Sequence, residues 1–187
     1  MSSKIYIYNK KRTIHCVNKF FKPISSSRYI DSMKLLCDQM LGSLATWLRI
    51  LGQDTYYAQR YITDDELLQI AKNEQRTIIS RDKVLLQRAK KELIQIIPLV
   101  STNLDEQLRT VLPKITIDKN ELLTRCTICN TILESIIKNR IIDQVPKRIY
   151  DQHDTFWYCP HCNKVYWMGS HYENIRTKLQ NLTMKSE

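Results

Sequence analysis

Two Cys-x-x-Cys pairs constrain this chain more than any other stretch: Cys126-Thr-Ile-Cys129 and Cys159-Pro-His-Cys162, with 29 residues between them. Each pair turns two thiolates toward one point, and two such knuckles complete a tetrahedral zinc site with no open position. Two disulfides are the other use of four cysteines so spaced. The sequence carries no secretory signal, which favours a reduced compartment and metal. A closed four-cysteine site stabilises or binds rather than catalyses, so any chemistry has to come from another part of the chain. His161, inside the second knuckle, is surplus to a site that four thiolates already fill.

A chain of 187 residues with 43% hydrophobic content buries one ordinary core and a small metal-stapled module beside it. No apolar run reaches the length of a membrane span, so no membrane partner is expected. The net charge is +10, but residues 1 to 30 hold seven Lys or Arg and no acid, leaving +3 for the rest. That basic segment suits contact with nucleic acid or another polyanion, or a solvated arm. Its scattered serines also resemble an organelle transit peptide, although lysine outnumbers arginine. The expected compartment is therefore the cytoplasm, with organelle targeting by the amino-terminal segment as the alternative. Cys16 and Cys37 have no pairing pattern.

From Met33 onward, short apolar runs alternate with segments of helical period. Lys34-Leu-Leu-Cys37 is a buried-strand pattern that runs into Asp38. Met40, Leu41, Leu44, Ala45, Trp47, Leu48 and Leu51 then recur at helical spacing up to Gly52, a helix-ending glycine. Thr55 to Ala58 predicts a second strand, and Thr63-Asp-Asp-Glu66 has the form of a capping box opening the next helix. Arg76 to Ser80 predicts a third strand ahead of Arg81-Asp82. A helix from about Lys83 to Lys91, a strand from Ile94 to Val100 and a helix from about Leu104 to Leu112, stopped by Pro113, complete the series. Strands alternating with helices imply an α/β fold with a parallel sheet covered on both faces.

Sites in such sheets form beyond the carboxyl ends of the strands, where the acids of this region fall. Asp38 follows the first strand, Asp82 the third, and Asp105 lies shortly after the fourth. Asp64 and Asp65 open a helix on the same side if the crossovers are right-handed. There is no Gly-x-Gly-x-x-Gly and no Walker A loop, so this edge offers carboxylates instead of a phosphate cradle. Clustered carboxylates suit a hard divalent cation such as magnesium or manganese. Each acid also has a plainer use: Asp82 as a helix cap, Glu66 in the capping box, Asp64 and Asp65 against the helix dipole, Asp105 and Glu106 behind an Asn103 cap. Asp38, between a buried strand and an apolar helix, needs a partner of some kind.

The segments Asp38 to Gly52, Asp64-Asp-Glu-Leu-Leu68, Ile79-Ser-Arg-Asp82, the two cysteine knuckles and Val165 to His171 together resemble the Mut-seven carboxy-terminal RNase family. That family joins a PIN-like nuclease domain to a zinc ribbon. The resemblance spans about residues 34 to 180 and keeps the family's motif order. It implies a PIN-like fold and a metal-dependent ribonuclease. By position, Asp38 and Asp82 match the core metal-binding acids, with Asp65 as the third and no clearly placed fourth; Asp105 is the weak candidate. The expected catalytic ion is magnesium or manganese, the expected structural ion is zinc on Cys126, Cys129, Cys159 and Cys162, and the expected partner is RNA. The basic extension lies outside the family's pattern.

Arg49, Arg81 and Lys83 lie near the acid-bearing turns in sequence and are candidates for phosphate contact. Trp157, Tyr158, Tyr166 and Trp167 suit either stacking on bases or packing against the neighbouring module. Trp167 and His171 complete the candidate substrate-binding set. The expected division is a basic extension over 1–32, a PIN-like nuclease domain over 33–118, and a β-rich zinc ribbon with a carboxy-terminal helix over 119–187. A non-catalytic RNA- or ribosome-binding adaptor that retains the fold is the alternative function.

Overall fold

The computed structural model describes residues 33–59 and 61–183. The basic extension lies outside the described residues, as do the expectations attached to it. Four short parallel strands form the first sheet: β1 (Leu35–Cys37), β2 (Thr55–Tyr57), β3 (Thr77–Ser80) and β4 (Ile96–Pro98), in spatial order β2-β1-β3-β4. Four helices alternate with them: α1 (Gly42–Ile50), α2 (Asp64–Glu74), α3 (Lys83–Lys91) and α4 (Leu104–Val111). Both central strands are buried along their length because each of their faces is covered; β1 is wholly apolar, and β3 sets Ile78 and Ile79 between two buried hydroxyls, Thr77 and Ser80.

Alternation along β1 and β3 divides the core in two. Leu35, Cys37 and Ile79 point to one face and pack with Leu44, Leu48, Leu108 and Val111 of α1 and α4. Leu36 and Ile78 point to the other and pack with Leu67, Leu68 and Ala71 of α2 and Leu85 and Ala89 of α3. The chain leaves β1 toward β2 and then crosses back past β1 to β3. These opposite directions set α1 on one face and α2 and α3 on the other, as a single handedness of crossover requires. The reversal makes the gap between β1 and β3 the switch point of the sheet.

Local chemistry fixes the boundaries. The Thr63 hydroxyl accepts from the Glu66 N–H at 3.3 Å while the Glu66 carboxylate accepts from the Thr63 N–H at 2.7 Å, so the capping box forms as the sequence predicts. Helix α1 starts later than its apolar pattern, since Gln39–Leu41 form a tighter 3-10 turn capped by Asp38. Beyond α1, Gly52 takes φ 80° against the Glu121 backbone, where an added Cβ would overlap the Glu121 carbonyl. Pro113 falls inside a 3-10 turn, Leu112–Lys114, which ends α4.

The second sheet is antiparallel: β5 (Glu134–Ile136), β6 (Phe156–Tyr158) and β7 (Val165–Trp167), in that order. A short helix, α5 (Lys147–Gln152), precedes β6, and Ile141, Val145, Phe156 and Val165 form a separate small core. Sequence order groups the last helix, α6 (Ser170–Thr183), with this ribbon. Its packing places it elsewhere: Leu179 and Leu182 join the α1–α4 face of the parallel sheet. The Lys178 ammonium lies 5.0 Å from the Trp47 ring and pairs with Asp105 at 2.6 Å.

Candidate active site and metal centre

Asp38 directly follows β1 and is 5% exposed, so its carboxylate has to be met by donors. The Met40 N–H supplies one at 2.9 Å, and the hydroxyl of Ser80, the last residue of β3, donates to the other oxygen. The same hydroxyl accepts from the Asp82 N–H at 2.8 Å. Ser80 is fully buried between the two acids and ties the end of β1 to the turn after β3, across the switch point. Sequence reading did not single it out. The available signal was a hydroxyl at the end of a buried parallel strand, two residues before an acid.

Asp82 caps α3, its carboxylate accepting from Val84 and Leu85 N–H at 2.7 and 3.1 Å, and the residue remains exposed at the edge. Asp65, in the first turn of α2, pairs with Arg88 of α3, which also reaches Asp64 at 3.6 Å. The three expected acids therefore share one edge. They do not close on one another: among the described residues, the four ribbon cysteines are the one group of three or more His, Cys, Asp or Glu whose ligand atoms all lie within 4.8 Å. Asp105 is held by Lys178 of α6.

The candidate substrate contacts separate. Lys83 is exposed at the start of α3. Arg81 is half-buried, and its buried Nε has no hydrogen-bond partner. Trp167 packs half-buried against the ribbon core. His171 falls in the first turn of α6, its side chain outside those described. Arg49 requires correction. It is 5% exposed, and its guanidinium donates to the carbonyls of Thr55 at 2.9 Å, Thr127 at 3.1 Å and Ile128 at 2.7 Å. A side chain buried on three carbonyls is a tether between modules and is not placed to meet phosphate.

That tether belongs to a polar seam binding the first knuckle to the sheet. The Asn130 side chain accepts from the Thr55 N–H at 3.0 Å and donates to Asp54 at 2.9 Å. Arg125 donates to the Gly52 and Asn130 carbonyls, and Arg76 pairs with Asp54 at 2.7 Å. Burial would raise the Asp54 pKa, but the hydrogen bond and charge of Arg76, joined by Asn130 and Arg125, hold it below the usual carboxylate range. For Arg49, burial lowers the pKa and the nearby Cys37, Cys126 and Cys129 oppose it; an arginine remains charged there. Cys37 is driven up first by burial and then by the charge of Asp38, so it stays a neutral thiol beside the acids.

The two knuckles are built alike. Asn130 and Asn163 follow the second cysteine of each pair in left-handed backbone, at φ 70° and 55°, which asparagine tolerates. Their N–H groups donate to the Cys126 and Cys159 carbonyls at 2.9 and 2.8 Å, while Cys126 and Cys159 N–H donate to Thr131 and Lys164. These turns bring four free cysteines together. Although burial acts the other way, hydrogen bonding by Thr131 draws the Cys129 thiol down to about 6. Burial pushes Cys159 up to about 11 and Cys162 higher still. Burial and the neighbouring sulfurs disfavour charge on Cys159 and Cys162, which a cation between the sulfurs would offset. Soft thiolates at this spacing could hold zinc. His161 is exposed, 3.8 Å from the Cys162 sulfur.

A parallel α/β sheet with carboxylates at its switch point is joined to a second module in which four cysteines come together. The chain belongs to the Mut7-C RNAse domain family, whose model matches residues 33–179. That membership makes it a nuclease by family and RNA the substrate the family name indicates. Comparison with curated proteins and with solved structures gives no match. Among the described residues, no helix is long and apolar enough to cross a membrane.

Proposed function

We propose that the chain is a metal-dependent ribonuclease whose sheet module is PIN-like, with RNA phosphodiesters hydrolysed at the edge carrying Asp38, Asp65 and Asp82. The observation that carries this reading is the Asp38–Ser80–Asp82 linkage at the switch point. It ties the Asp38 carboxylate to the backbone of Asp82, so that acids following the two central strands meet at the place where α/β sheets bind ligands. The donor set is carboxylate oxygen without sulfur or imidazole, which fits magnesium or manganese. Asp38 and Asp82 would hold that ion, and Asp65 would join them on leaving Arg88. When bound, the ion supplies a water of lowered pKa and offsets charge on the phosphodiester. Ser80 keeps Asp38 oriented, and Arg81 and Lys83 offer positive charge to phosphates approaching an otherwise repelling edge. The zinc ribbon stabilises the module and helps to bind substrate.

Purified protein incubated with labelled single-stranded RNA and manganese is expected to cleave it, and an Asp38→Asn, Asp82→Asn double variant is expected to be inactive. Equal signals from both overturn the proposal. The pairing of Asp65 with Arg88 favours a second reading, an adaptor that binds RNA without cutting it. Unaltered RNA binding with no cleavage by either protein selects that reading.

A further inference from the structure

Apolar side chains left in water are informative where they cluster. Among the described residues of the parallel-sheet module, five large apolar side chains stand out: Met40 is 62% exposed, Tyr61 96%, Val84 63%, Leu93 93% and Val100 97%. Leu93 follows α3 at the amino-terminal edge of the sheet. The other four each follow a different strand at the carboxyl edge: Met40 after β1, Tyr61 after β2, Val84 after β3 and Val100 after β4. Read in the spatial order of the strands, they run Tyr61, Met40, Val84, Val100.

Neighbouring loops are joined where these residues sit. The Gln39 side chain donates to the Ile62 carbonyl at 3.1 Å, linking the loops that carry Met40 and Tyr61. The Leu99 N–H donates to the Ser80 carbonyl at 2.9 Å, bringing Val100 beside the turn that carries Arg81. Asp38 and Asp82, which follow the two central strands, lie in the middle of this order.

The composition of this edge decides what covers it. A protein interface presents a continuous apolar centre with charge confined to its rim. Here the apolar groups are interrupted by Asp38, Asp82, Arg81 and Lys83, and the buried Arg81 Nε has no hydrogen-bond partner. An unpaired nucleic-acid strand has the complementary alternation, with flat apolar bases between charged phosphates. We infer that Tyr61 and Val100, which flank Asp38 and Asp82 in strand order, together with Met40 and Val84 beside those two acids, are base-contacting subsites for a single strand lying along the sheet edge. The strand is thus held on both sides of the bond to be cut, and cleavage is internal. This rests on the ribonuclease reading for its cutting step but not for its binding step.

The two outermost residues, Tyr61 and Val100, are almost wholly exposed, so replacing them leaves packing untouched. Full-length zinc-loaded protein, without added magnesium or manganese, is titrated by fluorescence anisotropy against a fluorescein-labelled single-stranded oligonucleotide. An abasic strand of equal length serves as the phosphate-only control. Tyr61→Ser is expected to weaken binding of the base-bearing strand at least about five-fold and Val100→Ser about two-fold, with abasic binding unchanged. Unchanged affinity for the base-bearing strand, which assigns the edge to a protein partner, overturns the inference, as does an equal loss on both strands. With manganese added, a closed single-stranded RNA circle is expected to be cut as readily as the linear strand. A circle left intact while linear RNA is degraded overturns the internal cut. If neither RNA is cut, the ribonuclease reading fails while the binding ratios still decide the surface.

Discussion

Replacing Arg49 with methionine tests whether the two modules are energetically one. The methionine stem refills most of the arginine volume, so the loss is that of the guanidinium. Three carbonyls lose their donor: Thr55 and Thr127, both buried, and Ile128, which is more open to water. An orphaned buried carbonyl costs roughly 1–3 kcal/mol. Two of them, less a little apolar gain from methionine, give a destabilisation of about 3 kcal/mol, a large share of the roughly 5–15 kcal/mol that a domain has. With a urea slope of roughly 2 kcal/mol/M the unfolding midpoint falls by about 1.5 M. The guanidinium also sits among the charges of Cys126 and Cys129, so zinc is held less tightly in the variant. Zinc-loaded wild type is expected to lose helical circular dichroism and release zinc, read by a chromogenic chelator, in one transition. Arg49→Met is expected to release zinc at lower urea than it loses helix. A midpoint shift below about 0.5 M together with weakened RNA binding refutes this account and returns Arg49 to the role of a phosphate contact.

Asp54 gives a pH dependence of definite sign. Its folded pKa is depressed, so its contribution is present above the unfolded carboxylate value near 4 and is lost as pH falls through the folded value. Asp54→Asn is expected to lose about 1–2 kcal/mol at pH 7 and to show a flatter fall in stability below pH 4, checked by urea midpoints from pH 2 to 7. An unchanged slope refutes the pairing. Ser80→Ala leaves a buried Asp38 oxygen without its donor. Cleavage kcat is expected to drop about ten-fold with KM unchanged, since the hydroxyl positions an acid without touching substrate; a rise in KM alone counts against that role.

Much of the fold was legible because alternation, capping and zinc chemistry are local. Thr63 and Glu66 form the predicted box, α3 spans Lys83–Lys91 as its period indicates, and four cysteines meet as their spacing requires. Strand positions were close to those observed, although β4 spans Ile96–Pro98 within an apolar run of Ile94 to Val100. The shared edge of Asp38, Asp65 and Asp82 followed from the alternation of strands and helices with right-handed crossovers. What escaped depends on contacts distant in sequence. Arg49 looks like a surface cation until the carbonyls of Thr127 and Ile128, nearly 80 positions away, are seen to enclose it. Asp65 carries no sign of Arg88, and α6 reads as part of the ribbon because nothing in its own pattern tells which apolar face it will cover.

That last helix bears on how the protein is made. Leu35 and Leu182 belong to one cluster although 147 positions separate them. During synthesis, the strands and α1 emerge early with one apolar face still short of a wall, and the ribbon is threaded out before the closing helix arrives. Closure of so distant a contact is slow, and the incomplete face is open to aggregation meanwhile. The nascent chain is therefore most vulnerable when its carboxylate-bearing edge is already assembled, and it gains protection only when Leu179 and Leu182 dock.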